Sequence, residues 1–308
     1  MSYYQATLKK KVLFEGIGLH TGRPTRLIVH PANIDNKIYF LRSDIKNSKP
    51  IFCNWQNVVP ANLCTKVSNK HNQSVSTIEH IMFSLYAAGI TNAILEINGP
   101  EVPIMDGSAK IFLEIFLDIG MIEQSKNFEQ VKILKSFEIT SENKFIKYEP
   151  TNKDSLEINY KINYNDQFIK KQNYNLIDAK RNFFEVANCR TFCHQEDLEK
   201  IFSMGLAKGG SLDNAIVISG NKILNQGGLR CHDEFVRHKI LDCLGDLYLS
   251  GYFICGKITC SQGGHELTTN LIKKIFNNEK NYSIDSEENS PFQKKTNKTE
   301  KFLLRSVI

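Results

Sequence analysis

Apolar and polar residues alternate along 25–29 (TRLIV), 38–41 (IYFL) and 93–97 (AILEI), each run bounded by Gly, Pro or Asn. That period of two predicts half-buried strands. Between the second and third runs the period changes to a helical one, through IEHIMFSLYAA up to Gly89. Ser76 followed three residues later by Glu79 has the form of a capping box, and Gly89 suits a left-handed C-cap. A second helical pattern, SAKIFLEIFLDIG, ends at Gly120, and the polar stretch 123–130 reads as a linker. Beyond it, runs at 131–139, 145–148 and 156–164 again predict strands, and a long helix is expected from Asp233 to Leu249, stopped by Gly251.

The pattern therefore gives an α+β chain of two tandem units, each with one strong helix that carries a histidine. We place them at residues 1–125 and 126–279. No sustained internal identity joins the two, so duplication stays open at this level. Residues 280–308 are polar and of low complexity, a composition that cannot bury enough apolar surface to order itself. The closing FLLRSVI is apolar enough to be a docking or degradation signal read by a protease.

Composition narrows the function classes. A chain of 308 residues with 41% hydrophobic content supplies a core for two ordinary domains. The eight cysteines are scattered and the N-terminus lacks an apolar leader, which favours free thiols in a reducing cytoplasm. The most apolar stretch, 111–122, contains Glu114 and Asp118 and is too short to span a bilayer. The net charge of +6 is dispersed, without the basic stripe and interleaved aromatics of a nucleic-acid binder; it is compatible with an anionic small substrate, though most of these lysines read better as a solvated basic surface.

Candidate chemistry centres on DEFVRHKILDCLGDLYLSG. On a helix His238, Asp242, Gly245 and Leu249 share one face, opposite the stripe of Val236, Ile240, Leu244 and Leu247. An imidazole and a carboxylate one turn apart can bind one divalent metal together, or form a surface pair that steadies the helix slightly. On the other helix Glu79 and His80 are adjacent and diverge by about 100°, as a general base beside a metal ligand would; Glu79 also fits a purely capping role. Three further segments carry weaker signals. The glycines of GIGLHTG miss the dinucleotide-binding spacing. Cys189, Cys193 and His194 lack a second pair to complete a structural zinc site. Gly209, Gly210 and Ser211 read equally as a phosphate cradle or a plain loop.

Taken together and in order, GIGLHTG, TIEHIMFSLYAAGI, INGPEVPIMDGSA, CRTF, GLAKGGSLDNAIV, LRCHDEFVRHKILDCLGDLYLSG and GGHEL resemble the UDP-3-O-acyl-N-acetylglucosamine deacetylases of Gram-negative bacteria, from about residue 2 to 276. The resemblance implies two similar domains, each a β-sheet layered with α-helices, with one zinc ion bound between them. An insert in the second domain would form a passage for the acyl chain. By matching motif, His80, His238 and Asp242 would ligate the metal, Glu79 would be the general base and His265 the general acid or electrostatic partner. Thr191 would donate to the oxyanion, Lys239 would support substrate binding and Asp246 would orient His265. Phe192, Gly210, Ser211, Ala215 and Val217 would line the acyl and sugar side. The implied substrate is a UDP-linked, acylated N-acetylglucosamine, deacetylated during lipid A synthesis. Cys193, His194 and Thr268 depart from the family pattern and bear on the shape of the passage.

Overall fold

A computed structural model describes residues 4–164 and 168–285. Two five-stranded sheets dominate it. The first comprises β1 (Val12–Ile17), β2 (Pro24–Pro31), β3 (Ile38–Arg42), β4 (Ile51–Phe52) and β5 (Ala93–Ile97), in the spatial order β1-β2-β5-β3-β4. The second comprises β6 (Phe137–Ser141), β7 (Lys144–Glu149), β8 (Leu156–Asn163), β9 (Lys171–Leu176) and β10 (Gly256–Ser261), in the order β6-β7-β10-β8-β9. In both sheets the central strand pairs antiparallel with one neighbour (β2 or β7) and parallel with the other (β3 or β8). The two halves thus share one topology, the α+β architecture expected from the pattern.

Alternation explains why these strands form one-sided faces. Along β2, Thr25, Leu27 and Val29 are buried; along β8, Leu156, Ile158, Tyr160 and Ile162 are buried. Each sheet has two helices at its central strand, one before and one after it: α1 (Glu79–Ala88) and α2 (Lys110–Ile119) flank β5, while α3 (Glu234–Leu247) and α4 (His265–Phe276) flank β10. Every residue of α1 is buried, the mark of a helix enclosed on all sides. It is pressed against α3, and the two apolar layers merge into one continuous core. The contact is so close that a Cβ built on Gly245 would lie 2.0 Å from the carbonyl oxygen of Glu79.

Several expectations change in detail. The capping box does not form. α1 begins at Glu79, Ser76 lies in a short strand with its hydroxyl donating to Pro100 O (3.2 Å), and Ile78 at the N-cap offers no side-chain bond. Gly89 and Gly251 do adopt left-handed conformations, with φ of 72° and 83°. The expected linker is largely a strand, because Met121–Asn127 pairs with Tyr4–Leu8. The tail starts later than residue 280: Tyr282–Asp285 pairs with Gln130–Ile133, and the Tyr282 ring sits 4.9 Å from that of Phe276. Residues 286–308, including FLLRSVI, lie outside the described residues. All eight cysteines are free, and no helix among the described residues is long and apolar enough to cross a membrane.

Candidate metal centre and active site

The α1–α3 contact brings together groups far apart in sequence. His80 Nε2 and His238 Nε2 approach Asp242 Oδ1 at 3.5 and 3.4 Å, and the ligating atoms of the three lie within 4.8 Å of one another. The face carrying His238 and Asp242 is not solvated: they are 2% and 5% exposed, covered by α1, so the reading as a surface pair is set aside. Their burial has a specific consequence. Asp242 Oδ1 has no hydrogen-bond partner, and a buried carboxylate oxygen left so costs several kcal/mol unless something cationic meets it.

The ring atoms are arranged to meet such a cation. His238 Nδ1 faces the carbonyl of Cys189 at 3.0 Å, which makes it the donor and leaves the Nε2 lone pair aimed at Asp242. Burial pushes the His238 imidazole down to about 3, so it stays neutral, as a ligand must. Burial opposes ionisation of Asp242, yet its carboxyl is held well below the usual range, with the Lys239 ammonium 2.9 Å from Oδ2. Two imidazoles and one carboxylate around a buried point fit a divalent metal with an open coordination position.

Beside this triad runs a second chain of polar groups. Glu79 Oε2 accepts from the backbone N–H of Thr65 at 3.0 Å, and Oε1 lies 3.8 Å from His265 Nε2. His265 Nδ1 meets Asp246 Oδ2 at 2.8 Å, and Asp246 Oδ1 accepts from the Thr65 hydroxyl at 2.5 Å. Burial works against charge on His265, but Asp246 and Glu79 outweigh it and raise the imidazole to about 10. Burial pushes the Glu79 carboxyl up, with His265 and His80 opposing. The site thus holds a cationic imidazole and a buried carboxylate within reach of the same point.

The segment 189–194 passes along the site. Arg190, 8% exposed, donates through N, Nε and Nη2 to the fully buried Glu234 at the start of α3. Thr191 is fixed by its backbone, N–H to Gly107 O (2.9 Å) and O from Ile216 N–H (2.8 Å). The Phe192 ring packs 4.9 Å from Phe235 and 6.4 Å from His238, with Lys239 Nζ 5.8 Å from its centroid. Val217 pairs with Cys193 on the adjacent parallel strand, following Ala215. Gly210 and Ser211 lie in a loop laid over GIGLHTG, where Gly209 N–H donates to Leu19 O at 3.0 Å. Thr268 is buried within α4, its hydroxyl donating to Gly264 O.

Two residues important to this geometry were not singled out in the sequence, although Glu101 falls within INGPEVPIMDGSA. Thr65 bonds both Glu79 and Asp246 from a segment with no recognisable motif. Glu101, fully buried, accepts from His20 N–H (2.8 Å), Thr21 N–H (2.7 Å) and the Thr77 hydroxyl (2.9 Å). It thereby ties GIGLHTG to the entry of α1 and holds Thr77 at φ 56°, an unfavourable conformation for a β-branched residue. A cavity of about 270 Å³ beyond the C-terminal end of α3, lined by Trp55, Phe128, Tyr248 and Tyr252 among others, includes none of the site residues.

Comparison with known proteins agrees with this arrangement. The family model described as UDP-3-O-acyl N-acetylglycosamine deacetylase matches residues 5–277. The UDP-3-O-acyl-N-acetylglucosamine deacetylase of Campylobacter fetus is 40% identical over 281 residues, 91% of this chain and 94% of that protein. Those of Helicobacter pylori and Syntrophus aciditrophicus are 39% and 35% identical, the latter over 99% of this chain and 96% of its own length. A match that runs through both sheets and through both helices of the His80, His238 and Asp242 cluster has one meaning: the chain belongs to the UDP-3-O-acyl N-acetylglycosamine deacetylase family.

Proposed function

We propose that the chain hydrolyses the N-acetyl group of a UDP-linked 3-O-acyl-N-acetylglucosamine in the cytoplasm, releasing acetate and the free amine used for lipid A. We further propose one zinc ion per chain, held by His80, His238 and Asp242. The observation that carries the reading is the unpartnered, buried Asp242 Oδ1 between two imidazoles, with Glu79 and His265 alongside. Zinc in that position would lower the pKa of bound water towards about 7 and polarise the acetyl carbonyl.

The chain's own groups supply the remaining steps. Glu79, its Oε2 fixed by Thr65, accepts the proton of the attacking water through Oε1. The Thr191 hydroxyl donates to the oxygen on which charge develops, and cationic His265 stabilises that charge and delivers a proton to the departing nitrogen. Asp246 keeps His265 cationic and correctly turned. Lys239 neutralises the outer oxygen of Asp242 and offers a positive charge towards substrate. Phe192, Ala215 and Val217, with the loop of Gly210 and Ser211, border the acyl and sugar side.

The strand pairings support two domains meeting near residue 128, since 121–127 pairs with the N-terminal strand and 130–133 with the C-terminal one. Metal analysis of the purified protein, combined with deacetylation assays on UDP-linked substrates of different acyl length, tests the reading. His238→Ala and Asp242→Ala that both keep full zinc occupancy would refute the ligand assignment; deacetylation confined to another acyl amine would refute the substrate.

A further inference from the structure

Two thiols that the proposed reaction does not use face each other next to the metal centre. Cys189 Sγ and Cys231 Sγ are 3.9 Å apart, Cys189 buried and Cys231 partly exposed. A disulfide requires a separation of about 2.05 Å, so roughly 2 Å of approach closes the bond. Cys231 lies in the bend between Gly227–Gly228 and α3, and a Cβ on either glycine would meet nothing within 4 Å, so this segment has room to shift.

The surrounding contacts keep the sulfurs together. Glu234 accepts from the backbone N–H of both Arg190 and Arg230, the residues adjacent to the two cysteines. Arg190 Nη2 also donates to Gly228 O at 2.7 Å, and Arg230 Nη1 to Asn188 O at 3.0 Å. Hydrogen bonding from Cys189 lowers the pKa of the Cys231 thiol, which makes the more accessible sulfur the one that ionises. The carbonyl of Cys189 is the partner of His238 Nδ1, so any displacement of Cys189 reaches a metal-binding ring directly.

We propose that Cys189 and Cys231 are a redox-active dithiol that hydrogen peroxide converts to a disulfide, displacing the Cys189 carbonyl from His238. The Cys231 thiolate attacks one peroxide oxygen, the O–O bond breaks, and the departing hydroxide takes up a proton, leaving a sulfenic acid and one water. The Cys189 thiol then attacks that sulfur; the S–S bond forms, the S–O bond breaks and a second water leaves. Two thiols are oxidised and one peroxide is reduced to two waters. A dithiol reductant reverses the change by exchange. Formation of the disulfide is independent of the proposed function, whereas its effect on turnover rests on His238 being a metal ligand.

The test uses the full chain with its metal, exposed to hydrogen peroxide in thiol-free buffer. Intact-mass spectrometry and peptide mapping should find the loss of two hydrogens in a Cys189–Cys231 cross-linked pair. Loss of the hydrogen bond that orients a metal-binding imidazole typically weakens metal affinity or activity by 10–100-fold. Deacetylation should accordingly fall about ten-fold, metal should pass more readily to a chromogenic chelator, and dithiothreitol should restore both. Cys231→Ser should retain basal activity and lose the peroxide response. Absence of the cross-link from the map, or a Cys231→Ser variant inactivated as fast as the wild type, overturns the proposal. A cross-link that forms while activity and metal retention stay unchanged overturns the coupling to His238. A protein without metal or deacetylase activity before oxidation refutes the proposed function instead, and the mass map still decides the disulfide.

Discussion

Gly245→Ala tests whether the contact between α1 and α3 sets the metal geometry. The added Cβ would lie 2.0 Å from Glu79 O, 2.9 Å from Glu79 C and 3.2 Å from its Cα, all backbone atoms that no rotamer change can move. Restoring an ordinary contact of about 3.4 Å demands that the helices part by roughly 1.4 Å. Overpacking of this kind costs about 1–3 kcal/mol, and alanine returns about 1 kcal/mol over glycine in a helix. The net loss of roughly 0–2 kcal/mol corresponds to a fall in Tm of at most about 8 °C for a chain of this size. Damage to the site should be much larger. His80 is on α1 while His238 and Asp242 are on α3, and ligand distances tolerate only about 0.2 Å. A misplacement of about 1 Å costs on the order of 10²-fold in rate. Zinc affinity by chelator competition, kcat/KM and Tm should therefore show weakened metal binding and a loss of about two decades in kcat/KM with a modest change in stability. A Gly245→Ala protein with wild-type metal affinity, turnover and Tm would refute the close contact.

Further outcomes follow from the same geometry. Glu79→Gln keeps an acceptor for Thr65 N–H, so thermal stability should hold while kcat falls on the order of 10²-fold, as for a lost general base; near-normal turnover would leave Glu79 a structural role only. His265, raised to about 10, keeps a proton that the unfolded chain loses near its ordinary pKa of 6.5. Its contribution to stability is thus fully present below about 6.5 and lost as pH rises through about 10, and denaturant titrations of metal-free protein should show that decline, flattened in Asp246→Asn. Truncation after Asp285 should leave kcat/KM intact, whereas truncation after Asn278 removes the strand paired with Gln130–Ile133 and should lower Tm; equal behaviour of the two would mean that this strand contributes nothing.

Legibility in the sequence depended on whether a signal was local. The alternation of β2, β5 and β8 marked those strands within a few residues, because each has one face on the core and one face outside. Short-range pattern also placed Gly89 at the end of α1 and Gly251 at the end of the short 3-10 turn that follows α3. The start of α1 was misjudged because Ser76-x-x-Glu79 satisfies the capping rule, while tertiary contacts assign both residues elsewhere, Ser76 to Pro100 and Glu79 to Thr65. The His238/Asp242 face looked polar and therefore solvated; only packing against the all-buried α1 turns it inward. Thr65 had no motif around it and Glu101 stood unassigned inside INGPEVPIMDGSA, since their partners lie up to 181 residues away along the chain.

The topology shared by the two halves explains why the candidate site is where it is. Helices α1 and α3 occupy equivalent places, each preceding the central strand of its sheet, so their mutual contact joins like with like across the interface of the two halves. In a purely structural pair of packed helices both contacting faces would be apolar. Here the two faces carry complementary polar groups. α1 contributes one imidazole and one carboxylate at its first turn, whereas α3 contributes an imidazole, two carboxylates a turn apart and a glycine that admits the backbone of α1. A metal centre needs unlike neighbours, a ligand set on one side and a base with an open approach on the other. The sheets behind them need only alternation, which many residues satisfy, so a shared topology does not require shared residues. The proposed chemistry accordingly sits at the seam where α1 meets α3, the one place in the two halves where particular side chains are required.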